Sequence, residues 1–569
     1  MTRRTALDRS ATAAVFASLA FVAACSASNG GKPSSGTAGS NGNGSGGTSS
    51  NGNGGVTSGG MASVGIGTLA QSCGTSALAH PQLRRLTAAE LQHSLDDIFP
   101  QAKGKWANGL SEVASPLGFN NDPALLTVSQ QVAGKILTGA RALAGAATAD
   151  GVLSQLLPCA AAAADHACAQ TFLTQYGRRL FRRPLTQPEQ DRYLTYFDAQ
   201  LAASDFKSAL GWMLTGLVQS PHALYRREVG VNDAGSYKLT PYEVATELSY
   251  TFAGTTPSDA LLEQAANDQL QTPEQLTAAA ATLLATPAGQ EVMHQFFTGW
   301  LGYDQVPPTL ASNAAFAAAS PDMAKETRQF LQEVVFTGRG GHKELLTADF
   351  TTPSATLASF YGFPAPSADY AKVTRPAGRG VGVLAQGSVI ASHSHEAASS
   401  PTLRGLLVFQ RLLCGTKPEV PPNVPALAPA MPNDMITTRQ RYEEQHMSAG
   451  NGCPTCHKMF DPIGFGFEHY DQFGRYRENE NGMTIDSSGT LSDGGQALFS
   501  FTGLDDLSTQ LATQEKVGRC VSGYVSAYTF ASNVPCLGEA RRADFTAGTL
   551  GFLDYFASLA GEPSFTRRQ

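Results

Sequence analysis

LTPYEVATELSYTF, residues 239–252, decides the fold class. Thr240 stands three residues before Glu243, so its hydroxyl can cap a first helical turn while the Glu carboxylate returns to the cap N–H. Pro241 takes the first helical position, where a missing N–H costs nothing. Val244, Leu248 and Phe252 then recur at spacing four, the period of one helix face. The same start is written in Thr87-Ala88-Ala89-Glu90 and Thr186-Gln187-Pro188-Glu189. Thr272-Pro273-Glu274 and Ser320-Pro321-Asp322 also put Pro at a first helical position. Few stretches alternate with period two. The chain is expected to be mainly α, with several packed helical domains and a few short strands or hairpins near its C-terminal Cys-x-x-Cys-His region.

Outward from that stretch, the 569 residues divide at polar and proline-rich breaks. The expected units are 78–150, 165–230 and 236–350, all helical, then 377–484 around the Cys-x-x-Cys-His segment, and a helical 485–565. Lys417 to Pro432 reads as an extended strap, and Ile485 to Gly495 as a turn-rich loop with a short hairpin. A net charge of -7 speaks against a general nucleic-acid binder, which needs surplus Lys and Arg. The basic run Arg178, Arg179, Arg182 and Arg183 reads instead as a source of interdomain salt bridges.

Residues 1–25 carry an address. Arg3, Arg4 and Arg9 precede an apolar run from Ala11 to Ala24, the pattern of an export signal. Val22-Ala23-Ala24-Cys25 resembles a lipobox, which makes Cys25 the lipidated first residue after cleavage. Residues 26–70 are rich in Ser, Gly, Asn and Thr and cannot bury apolar surface, so they read as a flexible tether. The protein is therefore expected to be exported and held in the cell envelope, in the periplasm or at the cell surface, with a membrane contact through its lipid.

Export gives the nine cysteines a context. With Cys25 lipidated and Cys453 and Cys456 in the motif, six remain, and disulfides are their default use. Cys159 with Cys168 and Cys520 with Cys536 are close in sequence. Cys73 and Cys414 pair by elimination. Six cysteines allow 15 arrangements, so connectivity stays open at this stage.

NGCPTCHKMFDPIGFGFEHYDQFGRYR, residues 451–477, holds the chemistry. Cys-x-x-Cys-His is the attachment signature of c-type haem: two thiols add to the haem vinyls, and the adjacent histidine lies under the iron. A chain of this composition contains such a pentapeptide by chance about three times in a thousand. Cys453 and Cys456 are the thioether candidates, and His457 is the proximal iron ligand. His446 is the first choice for the distal ligand. Met447, Met459, His469, Met483, His393 and His395 are further candidates, with Met459 too close to His457 to reach the opposite haem face. Two other uses of the motif stay open: a Cys453–Cys456 disulfide, or zinc with His457, although no second ligand pair at finger spacing supports zinc. Phe460, Phe465, Phe467, Tyr470, Phe473 and Tyr476 either wall a haem crevice or fill the local core. Asp461, Glu468, Asp471, Arg475 and Arg477 pair with one another or with haem propionates. Asp461-Pro462 and the glycines after it are expected to interrupt helix. No phosphate loop, G-x-S-x-G elbow or H-E-x-x-H is present.

Several phrases together resemble the planctomycete-type cytochrome-like secreted proteins, which assemble domains of unknown function around a Cys-x-x-Cys-His segment. They are LRRLTAAELQHSLDDIF (83–99), YGRRLFRRPL (176–185), LTPYEVATELSYTF (239–252), SSPTLRG (399–405), residues 453–477 and residues 485–494. The resemblance spans about residues 80–565. It implies secretion and a c-type haem segment, and supplies no catalytic residues. The expected role is electron transfer or haem-dependent oxidation, with redox proteins as partners. The alternative is a non-redox envelope protein that binds polysaccharide or another partner and keeps its cysteines in disulfides. Neither reading fixes whether the chain is an enzyme.

Overall fold

The computed structural model describes residues 66–106, 109–419, 435–447, 454–493 and 496–569. The export segment with Cys25, the tether up to residue 65, most of the proline-rich stretch and Cys453 lie outside the described residues. The body is mainly helical.

Helices begin where the caps are written. Thr87 accepts from the Glu90 N–H at 3.1 Å, and the Glu90 carboxylate accepts from the Thr87 N–H at 2.8 Å. The same reciprocal bonding opens the helices Gln187–Ala203, Pro241–Ala253 and Pro273–Leu284, the last with Gln275 rather than Glu274 as the returning side chain. Pro241–Ala253 stops at Gly254, whose φ of 61° closes the helix in the left-handed region. This helix is buried along its whole length from Glu243 onward, not on one face alone. Ser320-Pro321 is a correction. The helix there runs Ala314–Leu331, capped by Asn313, with Pro321 inside it. An alanine-rich start favours helix, and burial of Phe316, Met323 and Phe330 offsets one lost backbone bond.

Among the described residues two large hydrophobic cores follow, with a small third around Phe316 and Tyr361. One gathers Leu91, Leu95, Phe99, Phe172, Phe197, Met213 and neighbours, all from residues 86–224, plus Tyr250. The other is continuous from Leu239 to Phe565 and joins the segments read from sequence as 236–350, 377–484 and 485–565. Tyr524 and Phe552, from the last segment, sit against Trp300. Leu69, at the end of the stretch read as tether, enters this core from a short 3-10 turn, Ile66–Ala70.

Strands are short, and several lie away from the motif region. Gln82–Arg85 pairs antiparallel with Tyr225–Glu228. Val231–Asp233 and Ser236–Lys238 form a hairpin that the C-terminal Arg567–Arg568 extends. Residues 485–495, read as a turn-rich loop with a short hairpin, instead hold the first strand, Ser488–Asp493, of a longer hairpin whose second strand is Gln496–Thr502.

A buried ionic cluster ties the cores together. Arg226 contacts Glu247 at 2.6 Å and Glu90 at 3.3 Å, while Glu228 receives Arg568 at 3.0 Å and Arg84 at 3.3 Å. Burial opposes the Arg226 charge and the Glu228 charge, and their opposite neighbours outweigh it, so both stay ionised. Arg178 and Arg179 bridge the two cores through Glu263 and Asp259, and Arg182 is buried on the carbonyls of Leu180, Ala223, His222 and Tyr225.

Among the described residues three disulfides are present: Cys159–Cys168, Cys73–Cys536 and Cys414–Cys520. The last two correct the sequence pairing of Cys520 with Cys536 and Cys73 with Cys414. Cys520 lies inside the helix Glu515–Thr529, packed by Arg411, whereas Cys536 lies beyond that helix and reaches Cys73. Nearness in sequence does not set nearness in space across a helix end. Three disulfides accord with an extracellular or periplasmic protein. Among the described residues, no helix is long and apolar enough to cross a membrane.

Candidate functional site

The site is built by three helices. Pro454–Gly464 carries Cys456, His457, Phe460 and Asp461. It packs on Pro401–Leu407, whose first turn is capped by Ser400 and presents Thr402. Thr438–His446 ends at His446. Glu480 holds the start of this third helix, accepting from the Thr438 N–H at 2.7 Å and the Thr438 hydroxyl at 2.8 Å. Arg439 fastens it to the hairpin by donating to the Ser488 carbonyl at 2.6 Å.

Asp461 is the centre. His457 and Asp461 stand four apart on one helix, so both side chains leave the same face. The His457 Nδ1 lies 2.9 Å from Asp461 Oδ2, and the His446 Nδ1 lies 3.1 Å from the same oxygen. Thr402 donates its hydroxyl to Oδ1 at 2.7 Å. Asp461 is fully buried. Burial pushes its carboxyl up, but the bonds from His446, His457 and Thr402 outweigh this and hold it below the ordinary aspartate range. An ionised carboxylate only accepts, so both rings donate from Nδ1, which leaves Nε2 as the nitrogen not engaged by Asp461. The two rings lie side by side, with centroids 3.8 Å apart and planes tilted 40°. Tyr442 meets His446 edge-on at 4.8 Å, and Phe460 meets His457 at 5.2 Å.

Sequence reasoning places His446 across a haem from His457. Its ring stands beside that of His457, and both Nδ1 atoms meet one carboxylate oxygen. His469 is elsewhere, bonded through Nδ1 to the Arg477 carbonyl at 2.9 Å and stacked on Tyr476. His393 donates to the Val389 carbonyl, and burial holds its pKa down to about 4. Met459 is half-buried on the motif helix, Met447 ends the His446 helix, and Met483 lies in a two-residue strand. Cys456 is half-buried and, among the described residues, is the one cysteine outside a disulfide.

Arg404, from the same phrase as Thr402, supports the segment after the motif. Fully buried, it donates to the carbonyls of Phe467, Tyr470 and Asp471 at 3.2, 2.8 and 2.8 Å, and to Ser394 at 2.9 Å. Burial lowers its pKa to about 10, and burial likewise lifts that of nearby Glu468 to about 7. Phe467 and Tyr470 belong to the large core, and Phe473 to a small one with Phe316 and Tyr361, so these rings fill space. The acidic and basic residues pair locally: Arg475 with Asp471 at 2.8 Å and Arg477 with Glu480 at 2.8 Å. Pro462 does not stop the motif helix, which continues to Gly464 and tightens into a 3-10 turn, Phe465–Phe467.

Sequence reasoning missed Thr402 and gave Asp461 a different partner. The His457/Asp461 spacing of four was the available signal. The donors fit a c-type haem at the described residues: His457 is anchored through Nδ1 as metal-bound imidazoles require, so Nε2 is the nitrogen that would face iron, and Cys456 retains a thiol.

Four family models match in succession. They are PSD3, a protein of unknown function (DUF1587), over residues 84–149; PSD5 (DUF1595), over 168–228; PSD4 (DUF1592), over 239–363; and PSCyt3 (DUF1588), over 380–480. Each is a family of unknown function, and the last encloses Thr402, His446, His457 and Asp461. No curated protein and no solved structure matches the chain. The chain belongs to the planctomycete-type proteins in which PSD3, PSD5 and PSD4 domains precede a cytochrome-like PSCyt3 domain.

Proposed function

We propose that this is an exported, lipid-anchored cytochrome-like protein that carries one c-type haem on Cys453 and Cys456, with His457 as its proximal ligand. The observation that carries the reading is the His457–Asp461 contact of 2.9 Å, which engages Nδ1 and leaves Nε2 as the nitrogen to offer iron. A bound haem supplies one-electron exchange, or oxidation where its sixth position is open. The chain's own part is to hold His457 by Asp461, and to hold Asp461 by Thr402 and His446. Partners on this reading are redox proteins of the envelope. The pyridine haemochrome spectrum of protein made in a host with haem-ligation machinery tests it. A c-type α-band that Cys453→Ala and Cys456→Ala each alter is expected. Absence of haem together with a Cys453–Cys456 disulfide by mass spectrometry sinks the reading and leaves the non-redox envelope protein. Labelled fatty acid that follows wild type but not Cys25→Ala tests the anchor.

A second reading rests on one observation. Ligand atoms of His446, His457 and Asp461 all lie within 4.8 Å of one another, the donor set of a two-histidine, one-carboxylate site for a divalent cation. Metal analysis of haem-free protein separates it from the first: a stoichiometric divalent metal lost in Asp461→Asn supports it.

A further inference from the structure

One carboxylate with three donors does more than hold a ring. Asp461 Oδ2 accepts from His457 and from His446, and Oδ1 accepts from Thr402 at 2.7 Å, the shortest of the three contacts. The group is fully buried, so these donors rather than bulk solvent set how much negative charge it presents to His457. A carboxylate on Nδ1–H draws that proton toward itself and makes Nε2 a stronger electron donor. Each further donor on the same carboxylate weakens that pull. His446 and Thr402 therefore act against Asp461, although all three belong to one cluster.

We propose that Asp461, His446 and Thr402 are positioning residues that tune the donor strength of His457 toward haem iron, Asp461 raising it while His446 and Thr402 moderate it. This rests on the haem reading of the site. A stronger axial donor favours ferric over ferrous iron, so the cluster holds the couple at a lower potential than a neutral hydrogen-bond acceptor at position 461 gives. It also assigns His446 a place beside the proximal ring, acting through Asp461 and not at the iron.

The experiment is spectroelectrochemical titration of the full-length, haem-loaded protein and three variants, after haemochrome analysis has established attachment. Asp461→Asn is expected to raise the ferrous-to-ferric ratio at a fixed poise at least tenfold, which is about 59 mV for a one-electron couple. His446→Phe, which keeps an aromatic ring against Tyr442, and Thr402→Val are expected to lower that ratio. The reduced α-band of His446→Phe is expected to stay in place. Variants that all shift the same way, an Asp461→Asn change under twofold, or a displaced α-band in His446→Phe overturn the proposal. If Asp461→Asn does not fold, the other two decide: a lowered ratio in both supports the proposal, and no change or a rise overturns it. A protein with no covalent haem fails at the haemochrome step, which refutes the reading beneath the proposal and is told apart from these results.

Discussion

Gly405 and Gly464 face each other where the two helices that frame Asp461 cross. A Cβ on Gly405 would run into the Phe460 carbonyl, and one on Gly464 into the Pro401 carbonyl. Backbone thus meets backbone, which brings Thr402 within reach of Asp461. Alanine at either position is expected to destabilise the fold by at least about 1–3 kcal/mol, the usual cost of overpacking. Urea unfolding of Gly405→Ala and Gly464→Ala checks this; a midpoint unchanged from wild type counts against the tight crossing.

Arg404 is a single fork that satisfies three carbonyls and one hydroxyl. Lysine has the charge but not the planar set of donors. Arg404→Lys is expected to lose about 3–5 kcal/mol, the cost of breaking a buried charged network. Denaturant titration at pH 5 reads it. Loss below about 1 kcal/mol would show that water or a shifted backbone replaces the fork.

Glu468 and His342 are expected to bend the pH profile in opposite directions. Burial raises Glu468 from 4.5 to about 7, so its stabilising share is full below pH 4.5 and fades as pH rises to about 7. Burial lowers His342, a base, from 6.5 to about 4, so its share is full above pH 6.5 and fades as pH falls toward 4. Neither His342 ring nitrogen finds a partner among the described residues, and its ring packs at a tilt on Phe545, centroids 5.2 Å apart. Between pH 4.5 and 6.5 the two slopes oppose each other. Glu468→Gln is expected to gain stability relative to wild type as pH rises to 8, and His342→Phe as pH falls to 4. Thermal melts across pH 4–8 that show parallel curves for either variant would reject its assignment.

Peptide mapping without reduction is expected to recover Cys414–Cys520 and Cys73–Cys536 and no Cys520–Cys536 peptide. The Cys414–Cys520 bridge spans 106 residues and joins the PSCyt3 segment to the C-terminal helices. Its removal as a Cys414→Ser, Cys520→Ser pair is expected to cost about 2–5 kcal/mol.

What could be read in the sequence was local. A cap such as Thr240 with Glu243 is settled within four residues, so the helix starts followed directly. The nearness of His446 to His457 was also within reach, since few residues separate them, whereas the motif helix was not, because Asp461-Pro462 reads as a break and Pro462 lies inside the helix. The role of Thr402 was not, because it comes from a helix more than fifty positions away and depends on two glycines that let the helices touch. Cysteine pairing failed for the same reason: Cys73 and Cys536 meet only after the whole body has folded. Pro321 misled because a helix-start signal is weak against an alanine-rich run that begins earlier and buries Phe316.

The Cys73–Cys536 bridge also decides how the body bears tension. A pull on the segment ahead of Cys73 passes through sulfur into the C-terminal region, next to the Ala79–Arg568 bridge. The covalent load path skips residues 74–535, including Asp461 and its three donors. Force on the leading segment can therefore be carried without stretching the helices that set the His457 ring.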